Sequence, residues 1–508
     1  MSANLFDLFL ARAPRLDKLA LDAPGGMSVT YSELFERAGR AARALADLGV
    51  EPGDRVAVQI DKSPDMIALA LACLKAGAAL LPLNTAYTLA ELEYFLSDAG
   101  PALTICRPAS LAALRELAIR LGLRAVESLG ARREGTFAER IAAASPEFAT
   151  VPRASDDLAA ILYTSGTTGR SKGAMLTHEN LASNAAVLAD FWRFTAQDAL
   201  IHALPVFHTH GLFVATNVAL LAGATMIFQP RFDADAIVAA LPGATSLMGV
   251  PTFYTRLLDH PGLTRAATAH MRLFVSGSAP LLGETHRRWR EKTGHAILER
   301  YGMTETGMIA SNPYEAERRP GTVGFPLPGV SLRIADPEAG APLPRGEVGV
   351  IEVKGPNVFK GYWRMPEKTA SEFRPDGFFI TGDLGKIDES GYVHILGRAK
   401  DLIISGGFNV YPKEVEAEID ALDGVIESAV IGLPHGDFGE GVAAIVVPAP
   451  GASLDEQSVQ DALATRLANF KLPKRVIFVD DLPRNAMGKV QKNLLRETFK
   501  DLFARAQS

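Results

Sequence analysis

The length, composition and charge of the chain already limit what it can be. Its 508 residues exceed what one ordinary core needs, so we expect at least two domains. With 48% hydrophobic and 22% charged residues, the composition is that of a folded globular protein and excludes a disordered chain. A net charge of -6 argues against nucleic acid as a partner, and the two cysteines, Cys73 and Cys106, form no disulfide or zinc motif. We therefore expect a cytoplasmic protein.

The N-terminal third predicts buried helices and strands without a targeting or membrane segment. Residues 5–12 carry apolar side chains at helical spacing, and they lack the basic start and cleavage site of a signal peptide. The most apolar stretch, residues 66–83, is interrupted by Lys75, Gly77 and Pro82. We interpret it as a buried helix that runs into a strand, and we expect no membrane span.

Changes of sequence pattern along the chain predict the domain organisation. Up to residue 241, short apolar runs alternate with Ala/Leu-rich helical stretches, which is typical of α/β layers with parallel sheets. Residues 321–394 change to Gly/Pro turns and β-branched strands and predict a β-rich subdomain. After residue 397, alternating helices and strands predict an α+β unit of about 110 residues. The predicted fold is α/β: a large N-terminal domain, 1–398, of two layered α/β subdomains plus the β-rich one, and a small α+β C-terminal domain, 399–508.

A loop rich in glycine and hydroxyl groups follows the strand predicted for residues 158–163 and precedes a helix predicted from about Asn180. Ligands of α/β proteins bind at such strand ends. Glycines let the backbone approach a phosphate, hydroxyls donate to it and lysine adds charge; the residues concerned are Thr164, Ser165, Gly166, Thr167, Thr168, Gly169, Lys172 and Gly173. A flexible linker would need none of this chemistry. The loop is not a Walker A sequence, because Ser171 and Gly173 stand where that pattern needs Gly and Ser or Thr.

This loop is the first of five motifs that occur in order along the chain. They are YTSGTTGRSKG from Tyr163, YGMTETG from Tyr301, TGD from Thr381, GRAKDLIISGGFNVYP from Gly397 and PRNAMGK from Pro483. Together they resemble the adenylate-forming superfamily of acyl-CoA synthetases, peptide-synthetase adenylation domains and firefly luciferase, over essentially the whole chain. The resemblance implies that a carboxylate attacks the α-phosphorus of ATP to give an acyl adenylate and pyrophosphate. A thiol, here CoA, then displaces AMP.

The resemblance also implies a nucleotide site. Tyr301 would lie against adenine and Asp383 at the ribose hydroxyls, with Arg398 as a nearby donor. Glu305 and Thr168 would hold Mg²⁺, a hard cation that suits one carboxylate plus phosphate oxygens. The expected ATP-binding residues are Thr164, Ser165, Gly166, Thr167, Thr168, Gly169, Lys172, Ser278, Ala279, Glu299, Arg300, Tyr301, Gly302, Met303, Thr304, Asp383, Arg398 and Lys489. Taken alone, Asp383 and Arg398 would more often be surface charges.

The C-terminal domain is expected to be mobile and to serve both half-reactions. Lys489 resembles the family's catalytic lysine, whose ammonium bridges the acyl carboxylate and the α-phosphate. Thr304, Glu305 and His208 complete the expected catalytic set. For thioester formation the domain would swing about a hinge at Lys400 and present a CoA-binding segment. Its candidate residues are Gly406, Gly407 and Phe408. A lysine acetyltransferase and deacetylase acting on Lys489 are candidate partners.

The acid substrate is predicted from Arg300, the residue just before Tyr301. Synthetases for fatty or aromatic acids commonly carry a small residue there, and a buried guanidinium without a partner would cost several kcal/mol. A second carboxylate on the substrate is the economical partner. The acyl-binding candidates are His208, Thr209, Arg231, Ser276, Arg300 and Met308. They favour a short diacid such as malonate or methylmalonate, so the chain most resembles malonyl-CoA synthetases.

Other interpretations stay open at the level of sequence. Arg300 would also be explained by an ion pair with Glu299 or another internal acid. His208 and His210 are disfavoured as a metal pair, because no further ligand stands nearby. The competing functions are a general short-chain or aromatic acyl-CoA ligase and a stand-alone adenylation enzyme that loads a carrier protein. A nucleotide-binding module without catalysis is weakened by the presence of Glu305, Asp383 and Lys489.

Overall fold

The computed structural model describes residues 2–164, 171–435, 438–485 and 488–503. Within these ranges the chain has the expected α/β architecture, with a large N-terminal part followed by a small C-terminal part. The helices are α1 (Leu5–Arg12), α2 (Tyr31–Asp47), α3 (Pro64–Lys75), α4 (Leu89–Ala99), α5 (Leu111–Leu121), α6 (Thr136–Ala143), α7 (His178–Phe191), α8 (Asn217–Ala222), α9 (Ala234–Ala240), α10 (Pro251–Leu258), α11 (Gly283–Thr293), α12 (Pro366–Ser371), α13 (Pro412–Asp420), α14 (Glu456–Ala464) and α15 (Lys492–Thr498).

The strands alternate with these helices through most of the N-terminal part. They are β1 (Leu19–Asp22), β2 (Val29–Thr30), β3 (Arg55–Gln59), β4 (Ala79–Pro82), β5 (Leu103–Cys106), β6 (Val126–Ser128), β7 (Leu158–Thr164), β8 (Lys172–Thr177), β9 (Ala199–His202), β10 (Thr225–Phe228), β11 (Ser246–Gly249), β12 (Leu273–Ser276), β13 (Leu298–Met303), β14 (Gly307–Ser311), β15 (Phe325–Pro326), β16 (Ser331–Ala335), β17 (Gly349–Lys354), β18 (Gly361–Tyr362), β19 (Phe379–Ile387), β20 (Val393–Arg398), β21 (Ile403–Ser405), β22 (Phe408–Val410), β23 (Val425–His435), β24 (Gly439–Pro448) and β25 (Arg475–Phe478).

Two mostly parallel sheets and one antiparallel sheet make up the N-terminal part. The first sheet has the strand order β15-β14-β13-β12-β11-β9-β10-β1-β2, and the second has the order β18-β8-β7-β4-β3-β5-β6. The antiparallel sheet, β16-β17-β19-β20, is the predicted β-rich subdomain. Helix α3, followed by β4, confirms the interpretation of the most apolar stretch, and its residues from Met66 to Leu74 are all buried. None of the helices in the described ranges has the length and apolar character needed to cross a bilayer.

The segment after the glycine-rich loop differs from the prediction. We expected a loop from strand to helix, but Lys172–Thr177 forms strand β8, which pairs antiparallel with β7 before helix α7 begins. Gly173 hides this strand from a sequence pattern, since glycine weakens strands in general. Glycine is needed at position 173 because a methyl group there would lie 2.9 Å from Ile161 Cγ2 and 3.3 Å from Trp363 Cβ. Strands β7 and β8 therefore form a β-hairpin.

The C-terminal part has a core of its own. Its sheet, β22-β21-β24-β23 with β25 beside β24, is covered on one face by α13 and α14 and on the other by α15. Val415 and Val459 lie in the first cluster, and Leu482 and Leu495 lie in the second. The helix and strand order predicted from the sequence is confirmed, with the β21-β22 hairpin and α15 as additions.

Candidate active site

The predicted adenine and ribose residues meet where the first sheet touches the antiparallel sheet. The Tyr301 hydroxyl donates a hydrogen bond to the Asp383 carboxylate, and Arg398 Nε lies 2.8 Å from Asp383 Oδ1. Asp383 is 5% exposed, so it is not the surface charge that its isolated type would suggest. We call Tyr301, Asp383 and Arg398 the ribose corner. Its polar groups satisfy one another before any nucleotide binds.

The hairpin of β13 and β14 carries most of the YGMTETG motif. A bulge separates Tyr301 from Gly302, and a methyl group at position 302 would lie 2.1 Å from the backbone oxygen of Gly307, so glycine is required there. The turn after β13 presents Thr304, whose hydroxyl accepts a hydrogen bond from Thr209 at 3.4 Å. Met308 is buried in β14. The turn thus brings Thr304 beside a residue predicted to bind the acid.

Glu305, the expected metal ligand, is buried beneath the same turn. Its backbone carbonyl accepts from the Phe359 N–H at 2.8 Å, and the Tyr362 hydroxyl donates to its Oε1 at 3.0 Å. Burial raises the pKa of this carboxyl, so its ionised form gains from any cation brought to it. Across the described residues, side chains of His, Cys, Asp and Glu form no group of three or more that would hold a metal.

Both ends of the phosphate loop are fixed in the hairpin, while its centre lies outside the described residues. The predicted residues that fall there are Ser165, Gly166, Thr167, Thr168 and Gly169. At one end the Tyr163 hydroxyl donates to the Asp98 carboxylate, and at the other the Tyr94 hydroxyl donates to the Ser171 carbonyl at 2.6 Å. Asp98 and Tyr94 both belong to α4, so one helix fixes both ends of the loop. Thr164 and Lys172 are paired across the hairpin.

The acyl candidates lie at the carboxyl ends of parallel strands, where α/β proteins bind ligands. Ser276 ends β12 and is paired with Glu299 of β13. The next side chain, Arg300, points to the opposite face of the strand from Glu299 and Tyr301, because side chains alternate along a strand. A methyl group at position 277 would lie 2.6 Å from Arg300 Nη1. Gly277 therefore makes room for the guanidinium.

Arg300 is buried without a protein partner for most of its donors. It is 4% exposed, and its Nε and Nη2 atoms have no hydrogen-bond partner among the described residues. The buried atoms Ser276 Oγ and His210 Nε2 are also unpaired there. Burial lowers the pKa of Arg300 to about 9, so the guanidinium stays charged at neutral pH. We call Arg300, Ser276, His210 and His208 the acyl pocket.

Glu299 is not the partner of Arg300, which removes one interpretation left open by the sequence. Its Oε1 accepts from the Gly321 N–H at 2.9 Å, and burial raises the pKa of this carboxyl to about 8. It is therefore mostly neutral at pH 7. The described residues contain no ion pair of Arg300 with any acid. Within the described residues, a structural ion pair therefore does not explain why an arginine is buried at position 300.

The other acyl candidates are not equally placed. His208 is half-buried, and burial, followed by the charges of Lys489 and Arg300, lowers its pKa to about 4. Its imidazole is therefore neutral at pH 7, and its N–H can donate a hydrogen bond to a carboxylate. Thr209 is buried beside Thr304. Arg231, by contrast, is exposed on the loop after β10, so it remains only a candidate.

A loop at residue 278 joins the acyl pocket to the nucleotide candidates. Ser278 has φ of 72°, an uncommon conformation for a residue with a side chain, and its hydroxyl lies 3.3 Å from His210 Nδ1. Its neighbour Ala279 is half-buried. This uncommon backbone conformation therefore lies at the edge of the acyl pocket.

Lys489 lies close enough to the ribose corner and to Glu305 for their charges to affect it. Loss of water around its ammonium, followed by the charge of Arg398, lowers the pKa of Lys489. The charges of Asp383 and Glu305 act in the opposite direction and raise this pKa. His208 also feels the Lys489 charge. The neighbouring Gly488 touches the large domain, since a methyl group there would lie 3.3 Å from Thr252 Oγ1.

The predicted CoA segment lies in the β21-β22 turn. Gly406 and Gly407 have φ of 58° and 82°, which suits a tight hairpin turn, and both are exposed. Phe408 is 57% exposed and stacks on Phe470 with ring centroids 4.7 Å apart. Lys400, the predicted hinge, is exposed in a short 3₁₀ helix between the domains.

Comparisons with known proteins agree with this arrangement. Residues 9–363 match the AMP-binding enzyme family, and residues 414–489 match the AMP-binding enzyme C-terminal domain. The chain therefore belongs to the AMP-binding enzyme family.

Its solved and curated relatives include acid:CoA ligases. The ATP-bound crystal structure of MatB from Rhodopseudomonas palustris is 62% identical over 99% of this chain and 100% of that one, with a TM-score of 0.97. The apo crystal structure of the same protein has a TM-score of 0.87. Feruloyl-CoA synthase of Amycolatopsis sp is 38% identical, covering 94% of this chain and 95% of that protein. The mitochondrial malonate–CoA ligase of Mus musculus is 36% identical, covering 94% and 88%.

Sequence reasoning missed three residues of the site. Tyr254 donates from its hydroxyl to the Val275 carbonyl at 2.6 Å and lies close enough to Arg300 for their charges to interact. Tyr362 reaches Glu305, and Glu372 reaches Lys172. These partners are 57 and 200 positions apart in the sequence, so no local spacing could reveal them.

Proposed function

We propose that this chain is an AMP-forming ligase that joins malonate to CoA, with ATP cleaved to AMP and pyrophosphate. The observation that carries the proposal is the buried guanidinium of Arg300, which keeps Nε and Nη2 free of protein partners. A buried charge without a partner is costly, and a carboxylate satisfies a guanidinium through two parallel hydrogen bonds. Ser276 and His210 add further unpaired polar atoms beside it. A substrate with a second carboxylate would satisfy this site.

The similarity to malonate–CoA ligases and to MatB supports this choice. The identity to feruloyl-CoA synthase, 38%, is comparable to the 36% identity to the mouse malonate–CoA ligase, so these two curated relatives alone do not favour a diacid over an aromatic acid, whereas MatB is much more similar at 62%. The pocket favours a diacid, because an aromatic ring against Arg300 has no carboxylate to accept hydrogen bonds from Nε and Nη2. Methylmalonate differs from malonate by one methyl group and is the next acid to test.

In the first half-reaction, Arg300 would hold the far carboxylate while the near one attacks the α-phosphorus. Lys489 would place its ammonium between the attacking carboxylate and the phosphate, where negative charge accumulates. His208, neutral at pH 7, would orient the near carboxylate by a hydrogen bond, and Thr304 would contact the phosphate. Mg²⁺, when bound, would neutralise phosphate charge, and Glu305 is the described residue whose buried carboxyl is suited to hold it.

The second half-reaction requires a different domain arrangement. We propose that Lys400 is the hinge and that rotation about it removes Lys489 and brings Gly406, Gly407 and Phe408 to the adenylate. The better overlay on the ATP-bound structure of MatB than on its apo structure supports assigning the present arrangement to the first half-reaction. An acetyltransferase that modified the exposed Lys489 would remove its charge and stop adenylation.

The test compares wild type with Arg300→Gly on malonate and butyrate. We expect kcat/KM for malonate to fall about 30-fold to several thousand-fold, the cost of roughly 2 to 5 kcal/mol for losing a buried charge contact. Butyrate should gain, because the vacated space and the missing charge suit its apolar end. If malonate turnover survives and butyrate gains nothing, the pocket is misassigned.

A substrate panel separates the remaining alternatives. Acid-dependent exchange of pyrophosphate into ATP is measured with acetate, butyrate, malonate, methylmalonate, succinate and a phenylpropenoate. Malonate should give the highest exchange. Arg231→Gly serves as the matched arginine variant, and unchanged malonate kinetics would remove Arg231 from the pocket.

A further inference from the structure

Three separate chain segments meet at the side chain of Tyr362. Strand β18 pairs with β8, where Tyr362 lies opposite Ala174 two residues beyond Lys172. The Tyr362 side chain is 2% exposed and extends to the turn that carries Glu305. Its backbone N–H donates to Thr369 Oγ1 at 2.9 Å, which ties it to α12. Tyr362 thus connects the phosphate-loop hairpin with the candidate metal carboxylate.

The Tyr362 hydroxyl lies between two carboxylates. It is 3.0 Å from Glu305 Oε1 and 2.8 Å from Glu372 Oε2. Glu372 is in turn fixed by Lys368, whose Nζ is 2.5 Å from its Oε1. Because the hydroxyl has one hydrogen, it donates to one of these carboxylates at a time, and its contacts keep both of them beside the Tyr362 ring.

The same group of side chains holds the phosphate-loop lysine. Lys172 Nζ lies 3.4 Å from Glu372 Oε1 and 4.2 Å from the centre of the Tyr362 ring. An ammonium over an aromatic face is attracted to the ring's negative face. Tyr362 and Glu372 therefore each contact Lys172, while Tyr362 also contacts Glu305.

We propose that Tyr362 and Glu372 are positioning residues that set the Glu305 carboxylate and the Lys172 ammonium in the arrangement that magnesium-bound ATP requires. The inference rests on the proposed function, which assigns Glu305 to the metal and Lys172 to the phosphates. The physical reason is that holding binding groups in place in advance avoids the entropy cost of ordering them on binding. Partners that orient a metal ligand are worth about 10-fold to 100-fold in metal affinity.

The test is ATP binding to the full-length chain, measured by titration calorimetry without acid or CoA, once with Mg²⁺ and once with EDTA. The ratio of the two dissociation constants gives the gain from the metal. In Tyr362→Phe, we expect this gain to fall about tenfold, because the ring and its contact with Lys172 remain while the hydroxyl at Glu305 is lost. ATP binding in EDTA should change less than threefold.

Tyr392→Phe is the matched control. Tyr392 is also buried in the N-terminal part, but its hydroxyl donates to the Glu317 backbone carbonyl at 2.9 Å. Tyr392→Phe should keep the wild-type ratio between the ATP dissociation constants measured in EDTA and in Mg²⁺. A melting temperature for each variant excludes unfolding as the cause.

A second pair of variants tests Glu372 independently. Glu372→Gln keeps an oxygen that accepts from Tyr362, whereas Glu372→Ala removes it, and both lose the charge facing Lys172. We expect the alanine variant to lose about fivefold more of the magnesium-dependent gain than the glutamine variant, as expected for one hydrogen bond. Equal losses would overturn the proposed route through Tyr362.

The outcomes separate this inference from the proposed function. If wild type binds ATP equally with and without Mg²⁺, the assignment of Glu305 to a metal is wrong, and the inference is overturned with it. If wild type shows the gain and Tyr362→Phe keeps it, the inference alone is overturned. A uniform loss in EDTA and in Mg²⁺ would show a merely structural role and would also overturn it.

Discussion

The ribose corner and the acyl pocket are both built from buried polar side chains, but they differ in what satisfies those groups. In the ribose corner, Asp383 accepts from Tyr301 and pairs with Arg398. In the acyl pocket, Arg300 and Ser276 retain atoms that no described residue pairs. The polar groups of the first region are paired with one another, and those of the second keep unpaired atoms that a ligand could satisfy.

This difference separates two kinds of buried charge. A charge that the protein satisfies contributes to stability and presents a fixed shape to the ligand. A charge that the protein leaves unpaired costs stability, and the ligand recovers that cost on binding. The four predictions below test this contrast, beginning with the effect on catalysis and continuing with effects on stability.

Lys489→Ala should have a large effect on the reaction, because the proposed function assigns to Lys489 the stabilisation of negative charge during adenylation. Adenylation should fall about a hundredfold to a thousandfold, as expected when a group that stabilises developing charge is removed. Thioester formation from a preformed acyl adenylate should remain largely intact. Pyrophosphate exchange measures the first step, and a CoA assay with synthetic adenylate measures the second. Equal loss in both assays would contradict the role given to Lys489.

Asp383→Ala should destabilise the protein by about 2 kcal/mol, because Tyr301 and Arg398 then lose their acceptor. Urea unfolding without ligands measures this change. Asp376→Ala is the matched control in the same subdomain, since Asp376 pairs with Arg333 while its side chain is 51% exposed. The control should lose less than about 1 kcal/mol. Similar losses in both variants would mean that burial of the ribose corner carries no special stability.

Arg300→Met should act in the opposite direction. Replacing a buried, unpaired guanidinium by an apolar side chain of similar length should raise the free energy of unfolding by about 1 to 2 kcal/mol. Malonate should raise the melting temperature of wild type but not that of this variant. A destabilised Arg300→Met would show that the guanidinium is already satisfied without substrate, and the contrast between the two regions would fail.

Glu299→Gln should remove a pH dependence of the free energy of unfolding that wild type shows. The folded state keeps the Glu299 proton to about pH 8, whereas an exposed glutamate loses it near 4.5. The free energy of unfolding should therefore fall as pH rises from 4.5 to 8, by up to about 1.4 kcal/mol per pH unit. Glutamine keeps an acceptor for Gly321 and removes this slope. If the free energy of unfolding, measured by urea unfolding at each pH, changes with pH by the same amount in wild type and variant, the raised pKa of Glu299 is contradicted.

The elements that could be predicted from sequence are those with local patterns. The apolar periodicity gave α3 and β4, and the β-branched strands gave the antiparallel sheet. Strand β8 was missed because Gly173 interrupts its pattern for the sake of a close contact with Trp363. Within the site, the motifs indicated Tyr301, Asp383 and Lys489 individually, and their mutual contacts depend on folding.

The contacts between distant residues explain what sequence could not supply. Tyr362 was missed because its role depends on Glu305 and Glu372, which approach it only in the folded chain. Whether Arg300 pairs with Glu299 was also undecidable from the sequence. In the structure Glu299 and Arg300 point to opposite faces of the strand, because side chains alternate along it. The Glu299 carboxyl instead accepts a hydrogen bond from the Gly321 N–H.

The close approach of Gly277 to Arg300 couples these two positions in evolution. A methyl group at position 277 would lie 2.4 Å from Arg300 Cζ, so a larger side chain there would displace the guanidinium from its present place. Loss of the arginine removes this conflict and opens space that later mutations at position 277 can reshape. Relatives that vary at position 277 should therefore carry a change at position 300 more often than relatives that keep the glycine.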